Sequence, residues 1–129
     1  MTTDLTMLAY SAIFCVLLAF PYTLGMIAAD GLAKAAGNRE GMGEAPGWRG
    51  RARRAHLNMV ENLIPFAALV LVVHLAQKAS PMTAHGAELF FYARVAHAVV
   101  YILGVPYLRT LAWFASLAGI AMVAGALFA

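Results

Sequence analysis

The chain alternates long apolar runs with short polar breaks, and the runs have the length of membrane spans. Between Asp4 and Asp30 lie 25 residues without a charge, and 20 more follow Arg109. About 20 helical residues, at 1.5 Å each, cross a hydrocarbon core of about 30 Å. Two further runs, 16 uncharged residues between Glu61 and Lys78 and 14 between Arg94 and Arg109, are short by hydropathy alone. They cross only if their charged ends face a bundle interior or a polar cavity. Four spans result: Leu5 to Ala36, Arg51 to Gln77, Ala84 to Leu103 and Tyr107 to Phe128. Pro65, inside the second, removes the helical bond to the Glu61 carbonyl and is expected to kink that span. A Gly-rich, charged loop with Pro46 joins the first two spans over Gly37 to Gly50, Ser80-Pro81 marks a turn, and Gly104-Val105-Pro106 breaks the third span from the fourth. No strand-like alternation or internal repeat interrupts this order. The pattern predicts an all-α membrane protein, a bundle of four transmembrane helices in one domain over 1–129.

Composition agrees. Hydrophobic residues make up 63% and charged residues 12% of 129, and the mean hydropathy is +0.77. A soluble domain of this length needs roughly twice that charge fraction. The first run lacks a basic leading segment and is too long for a signal peptide core. Cys15 is the only cysteine, so no internal disulfide forms and it reads as an apolar filler. The net charge of +3 does not point to nucleic acid, because Lys34, Arg39, Arg49, Arg51, Arg53 and Arg54 gather in and around the first connection. Basic connections face the cytoplasm, which places both termini on the other side. Either a bacterial inner membrane or an endoplasmic-type membrane fits. Small residues recur in the last span as Ala115-x3-Gly119 and Ala121-x3-Gly125, a spacing that lets helix backbones approach closely.

Against this apolar background two polar stripes stand out. Arg54, Asn58 and Glu61 fall at i, i+4 and i+7 on the second span, and Arg94, His97 and Tyr101 at i, i+3 and i+7 on the third. Arg109 follows just past the Gly104/Pro106 break. Ionisable groups within a membrane are costly and mark functional sites by default. Gathered together, these residues form a cationic pocket with one carboxylate. It matches a small anionic molecule that carries a free amine: Arg forks take carboxylates and Glu61 takes the amine. Blander roles stay open. Arg51 and Arg53 read first as headgroup anchors, a role the stripe makes less fitting for Arg54; Glu61 also serves as a structural partner of Arg94, and His97 as a packed core histidine. His56, His74 and His85 read as structural or interfacial. No His/Cys spacing makes a metal motif.

The segment Arg53-Arg54-Ala55-His56-Leu57-Asn58-x-x-Glu61-Asn62-x-Ile64-Pro65-Phe66 closely resembles the second-helix signature of the MAPEG family, the membrane-associated proteins in eicosanoid and glutathione metabolism. Ala93 to Tyr101 is similar to that family's third-helix pattern, best matched by microsomal glutathione transferases and microsomal prostaglandin E synthase. The resemblance implies a four-helix bundle assembled as a homotrimer, with glutathione between neighbouring subunits near the cytoplasmic face. By position, Arg54, Asn58, Glu61, Arg94, His97 and Tyr101 would hold glutathione. Arg109 matches the family's Arg at the start of the fourth helix, which stabilises the thiolate. A lipophilic electrophile or lipid hydroperoxide would arrive from the bilayer. Two departures accompany the match. The first-helix Arg of eicosanoid-making members is absent from Ala28-Ala29-Asp30-Gly31-Leu32-Ala33-Lys34, and Tyr101 to Arg109 is one residue shorter than in the closest patterns.

The sequence therefore reads as a membrane-bound glutathione transferase or peroxidase, with Arg109 and Tyr101 as the catalytic pair. A small four-span transporter carrying protons on Glu61 is the main alternative. A non-catalytic family member that binds lipid or scaffolds a partner is the other, and the first-helix departure is what keeps it open.

Overall fold

The computed structural model describes residues 1–129 and is all-helical. The first span is not the single long helix the hydropathy predicts. It divides into α1 (Thr3–Leu17), α2 (Ala19–Asp30) and the short α3 (Leu32–Ala36). Pro21 explains the first division: it has no N–H to give the Leu17 carbonyl, and its ring crowds that same group. Gly31, at φ +90, makes the second, and Asp30 ends the apolar stretch as expected. The remaining spans are α4 (Trp48–Leu75), α5 (Pro81–Leu103) and α6 (Pro106–Gly125). With Thr3–Asp30 taken together, four helices are long and apolar enough to cross a membrane.

Helix boundaries follow local chemistry. Thr2 caps α1 by accepting from the Leu5 N–H at 3.4 Å. Ser80 and Thr83 form a reciprocal capping box at the head of α5, and Pro81 takes the first helical position, where its missing N–H costs nothing. That moves the start of this helix three residues ahead of the predicted Ala84: Pro81 opens the helix and does not merely mark a turn. Gly104 closes α5 in the left-handed conformation (φ +84), with the Val105 N–H bonded back to the Val100 carbonyl at 2.9 Å. Helix α4 runs unbroken through Pro65.

Antiparallel packing joins these helices. Phe66 of α4 stacks on Phe90 of α5 with ring centroids 3.8 Å apart, both rings fully buried. At the end carrying the termini, buried Asp4 accepts a hydrogen bond from the Thr83 hydroxyl, and the Lys78 ammonium donates to the Leu127 carbonyl at 2.9 Å. At the other end, the Arg51 Nε donates to the Ile102 carbonyl at 2.9 Å and ties α4 to the last turn of α5. Arg51 is thus a helix-to-helix strut and not only a headgroup anchor. The small-residue spacing of α6 does what the sequence suggests. Gly119 and Gly86 of α5 face each other so closely that a Cβ on Gly86 would lie 2.8 Å from the Gly119 carbonyl oxygen.

Much of the apolar surface points outward, including Ile13, Phe20 and Leu24 on the first span and Ile64, Leu71 and Leu75 on α4. Such a surface suits lipid or another protein, not water. The chain is an integral, multi-pass membrane protein.

The Gly86–Gly119 contact gives a test of the packing. Gly86→Ala is expected to push α5 from α6 and cost about 1–3 kcal/mol, seen as a lower unfolding midpoint in detergent. Unchanged stability would refute the close approach.

Candidate functional site

Arg94 lies at the centre of the polar residues. It leaves α5 between α4 and α6 and is 1% exposed. Its Nη2 donates to Asn58 Oδ1 of α4 at 2.6 Å and lies 3.4 Å from His97 Nδ1, one turn along its own helix. Its Nη1 reaches the Ser116 hydroxyl of α6 at 3.5 Å, and that hydroxyl donates to the Trp113 carbonyl at 2.7 Å. The buried Nε has no hydrogen-bond partner. Asn58 is itself braced, because the Asn62 amide donates to the Asn58 carbonyl at 2.8 Å and to its Oδ1 at 3.3 Å. A guanidinium thus sits in the bundle facing neutral acceptors only.

Asn58 and His97, both touching Arg94, also form part of the wall of a cavity of about 200 Å³, together with Tyr101, Arg109, Thr110 and Trp113. Two cations lie near the Tyr101 ring: the Arg109 guanidinium is 4.5 Å from its centroid and that of Arg54 is 6.0 Å away. His97 meets the same ring edge-on at 5.4 Å. The turn after α5 arranges this. Gly104 reverses the chain, Pro106 starts α6 at once, and Arg109 returns one turn later beside Tyr101.

Six of the seven residues singled out in the sequence therefore converge within one protomer: Arg54, Asn58, Arg94, His97, Tyr101 and Arg109. Glu61 does not join them. It lies on the exposed face of α4, about halfway along the helix, with no ion pair or hydrogen bond. The structural pairing of Glu61 with Arg94 that the sequence left open does not form; Asn58, three residues earlier on α4, takes that place. The carboxylate that meets Arg54 is Glu44, from the loop before α4. Lys34, the basic residue closest to the missing first-helix Arg, lies in a different cleft. His56 is structural, as read: its Nδ1 is 2.9 Å from the Tyr22 hydroxyl.

Ser116, Trp113, Thr110, Asn62 and Glu44 are the polar neighbours that sequence reasoning did not select. A signal for two of them existed. Arg109, Trp113 and Ser116 fall at i, i+4 and i+7, the same spacing as the Arg54 stripe. Glu44 had no signal, since loop residues carry no period.

The fold and this intramembrane cluster define a polytopic helical membrane protein with a cationic polar pocket. The chain belongs to the MAPEG family, whose model matches residues 7–129. That family is generally concerned with glutathione. No curated protein and no solved structure matches the chain.

The Asn58–Arg94 bond is the site's structural keystone. Asn58→Leu is expected to leave the Arg94 guanidinium short of its best acceptor and cost about 2–3 kcal/mol, measured by thermal unfolding in detergent. A neutral effect would show that Asn58 serves only a ligand.

Proposed function

We propose that this chain is a membrane-bound glutathione transferase, with peroxidase activity towards lipid hydroperoxides as the related chemistry of the same thiolate. The observation that carries this reading is the approach of two guanidinium groups, Arg109 at 4.5 Å and Arg54 at 6.0 Å, to the Tyr101 ring beside a pocket that Asn58 and His97 also line. An excess of cations over carboxylates favours a tripeptide carrying two carboxylates and an ionised sulfur. In this reading Arg54, Asn58 and His97 bind the polar backbone of glutathione, and Arg109 with Tyr101 faces the sulfur. Arg94 positions Asn58 and His97 from behind the cavity wall, and does not touch the ligand in the way the sequence suggested.

Bringing a thiol of pKa about 8.5 down to about 6.5 takes about 3 kcal/mol of preferential stabilisation of the thiolate. One guanidinium close to the sulfur, away from bulk water, is of the right strength. The thiol proton passes to water. The thiolate then attacks the electrophilic carbon, forming a C–S bond as the leaving group departs with its electron pair. With a hydroperoxide, two glutathione molecules are oxidised to the disulfide while the peroxide becomes an alcohol and water. The apolar outer face of α6, with Leu111 and Phe114 exposed, gives a lipophilic second substrate a route from the bilayer.

The exposed Glu61 bears on assembly. Glu61 is exposed at the polar end of the apolar run that reaches Gln77, where a carboxylate facing lipid carries a cost, and a neighbouring subunit over that face removes it. Homotrimeric assembly would do this, with Glu61 meeting the amine of glutathione at the subunit boundary and the pocket opening to the cytoplasm. A proton-carrying transporter would also use an unpaired Glu61, but it needs the carboxylate inside its bundle. Glu61 is on the outside.

Two measurements test this. Wild-type protein mixed with glutathione in detergent is expected to develop the ultraviolet absorbance of the thiolate, and Arg109→Ala to lose it while keeping its melting temperature. A retained signal would reject the role of Arg109, and no signal from the wild type would reject the transferase reading. Glu61→Gln is expected to weaken glutathione binding about tenfold or more, the loss of one charged hydrogen bond. Unaltered affinity, with proton-gradient-driven uptake abolished instead, would favour the transporter.

A further inference from the structure

A second and larger cavity, of about 570 Å³, lies at the membrane edge between the end of α2, the Gly37–Gly47 loop and the first turns of α4, and it shares no residue with the Tyr101 pocket. Four cations line it: Lys34, Arg39, Arg49 and Arg53. Its two carboxylates are already engaged. Asp30 pairs with Arg49 at 3.6 Å, and Glu44 pairs with Arg54, which is outside this lining. Lys34, Arg39 and Arg53 are left with no carboxylate partner.

Arg39 is anchored by its backbone and by one hydrogen bond. Arg39 takes a positive φ of 60°, a conformation that costs a non-glycine residue about 1 kcal/mol or more, and its Nε is anchored to the Ala35 carbonyl at 2.7 Å. Its terminal nitrogens remain free to face the cavity. On the far side, Gly25 lets α2 approach α4 so closely that a Cβ there would lie 2.8 Å from Arg49 Cδ and 2.9 Å from the Trp48 ring. Tyr22 and Met26, within the membrane-spanning stretch Thr3–Asp30, share one stripe of α2 with Asp30 and line the cavity wall.

We propose that this cleft is a binding site for the headgroup of an anionic phospholipid. The phosphate would meet Lys34, Arg39 and Arg53, and the acyl chains would lie against Met26 and Tyr22, towards the membrane interior. A soluble phosphate ester matches the cations equally well, but it has no use for a wall that runs down the membrane-spanning stretch Thr3–Asp30 as far as Tyr22. That depth selects the lipid. The site stands independently of the glutathione reading.

Delipidated full-length protein in neutral detergent provides the test. Phosphatidylglycerol is expected to raise the melting temperature and to be retained in native mass spectra, whereas phosphatidylcholine at equal concentration does neither. Lys34→Gln/Arg53→Gln is expected to bind phosphatidylglycerol about thirtyfold more weakly, about fivefold for each cation near an anionic lipid surface. Lys78→Gln, at the opposite end of the bundle, is expected to bind it as the wild type does. Equal responses of the wild type to the two lipids would overturn the proposal without any variant. So would an equal stabilisation by soluble glycerol phosphate, which would assign the cleft to a free anion.

Discussion

Arg94 is a cation enclosed by three helices, and every partner it has there is neutral. Moving such a group out of water costs several kcal/mol even after relaxation, so the helices carrying Asn58 and Ser116 are constrained to stay where their oxygens accept from it. The same bonds fix the register of α4 against α5 and of α5 against α6. Below them, the Phe66–Phe90 stack and the Gly86–Gly119 approach pack the rest of the interface without polar atoms to satisfy. A guanidinium balanced by a carboxylate would have spent its field locally. Balanced by dipoles, it leaves a net positive potential in a medium that screens poorly.

That potential falls on the cavity next door. His97 and Asn58 separate Arg94 from the space beside Tyr101, and the guanidinium groups of Arg109 and Arg54 both lie near the same ring. Three guanidinium groups near one small volume repel each other, and the Tyr101 ring relieves part of this because its negative faces attract cations. An anion in the cavity relieves more. The arrangement is therefore poised for a negatively charged guest in a way that a neutral polar pocket would not be.

Much of this was legible in the sequence because both relevant patterns are local. Spacings of three, four and seven put Arg54 with Asn58, and Arg94 with His97 and Tyr101, on single faces, and the scarcity of charge around them made those faces conspicuous. The four spans and their order were readable for the same reason. Three things were not. The division of the first span at Leu18 comes from a proline three residues later within an otherwise uniform apolar run, so hydropathy does not register it. Helical spacing fixes a face only to within the width of a stripe, and Glu61, at its trailing edge, turns outward while Asn58 turns in. The pairing of Arg54 with Glu44 depends on how a loop folds back, which no periodicity encodes.

The outward turn of Glu61 links the interior site to the exterior of the bundle. Asn58 and Glu61 are less than one helical turn apart, yet one touches the buried guanidinium and the other is exposed on α4. The guanidinium groups of the site are otherwise occupied: Arg94 is held by neutral acceptors, Arg54 by Glu44, and Arg109 lies against Tyr101. The positive interior and the unpaired negative exterior of α4 are complementary halves of one electrostatic arrangement. The association proposed above would bring such halves together without changing the packing inside the chain. Its physical root is the Asn at the position facing Arg94, which leaves Glu61 without an internal partner.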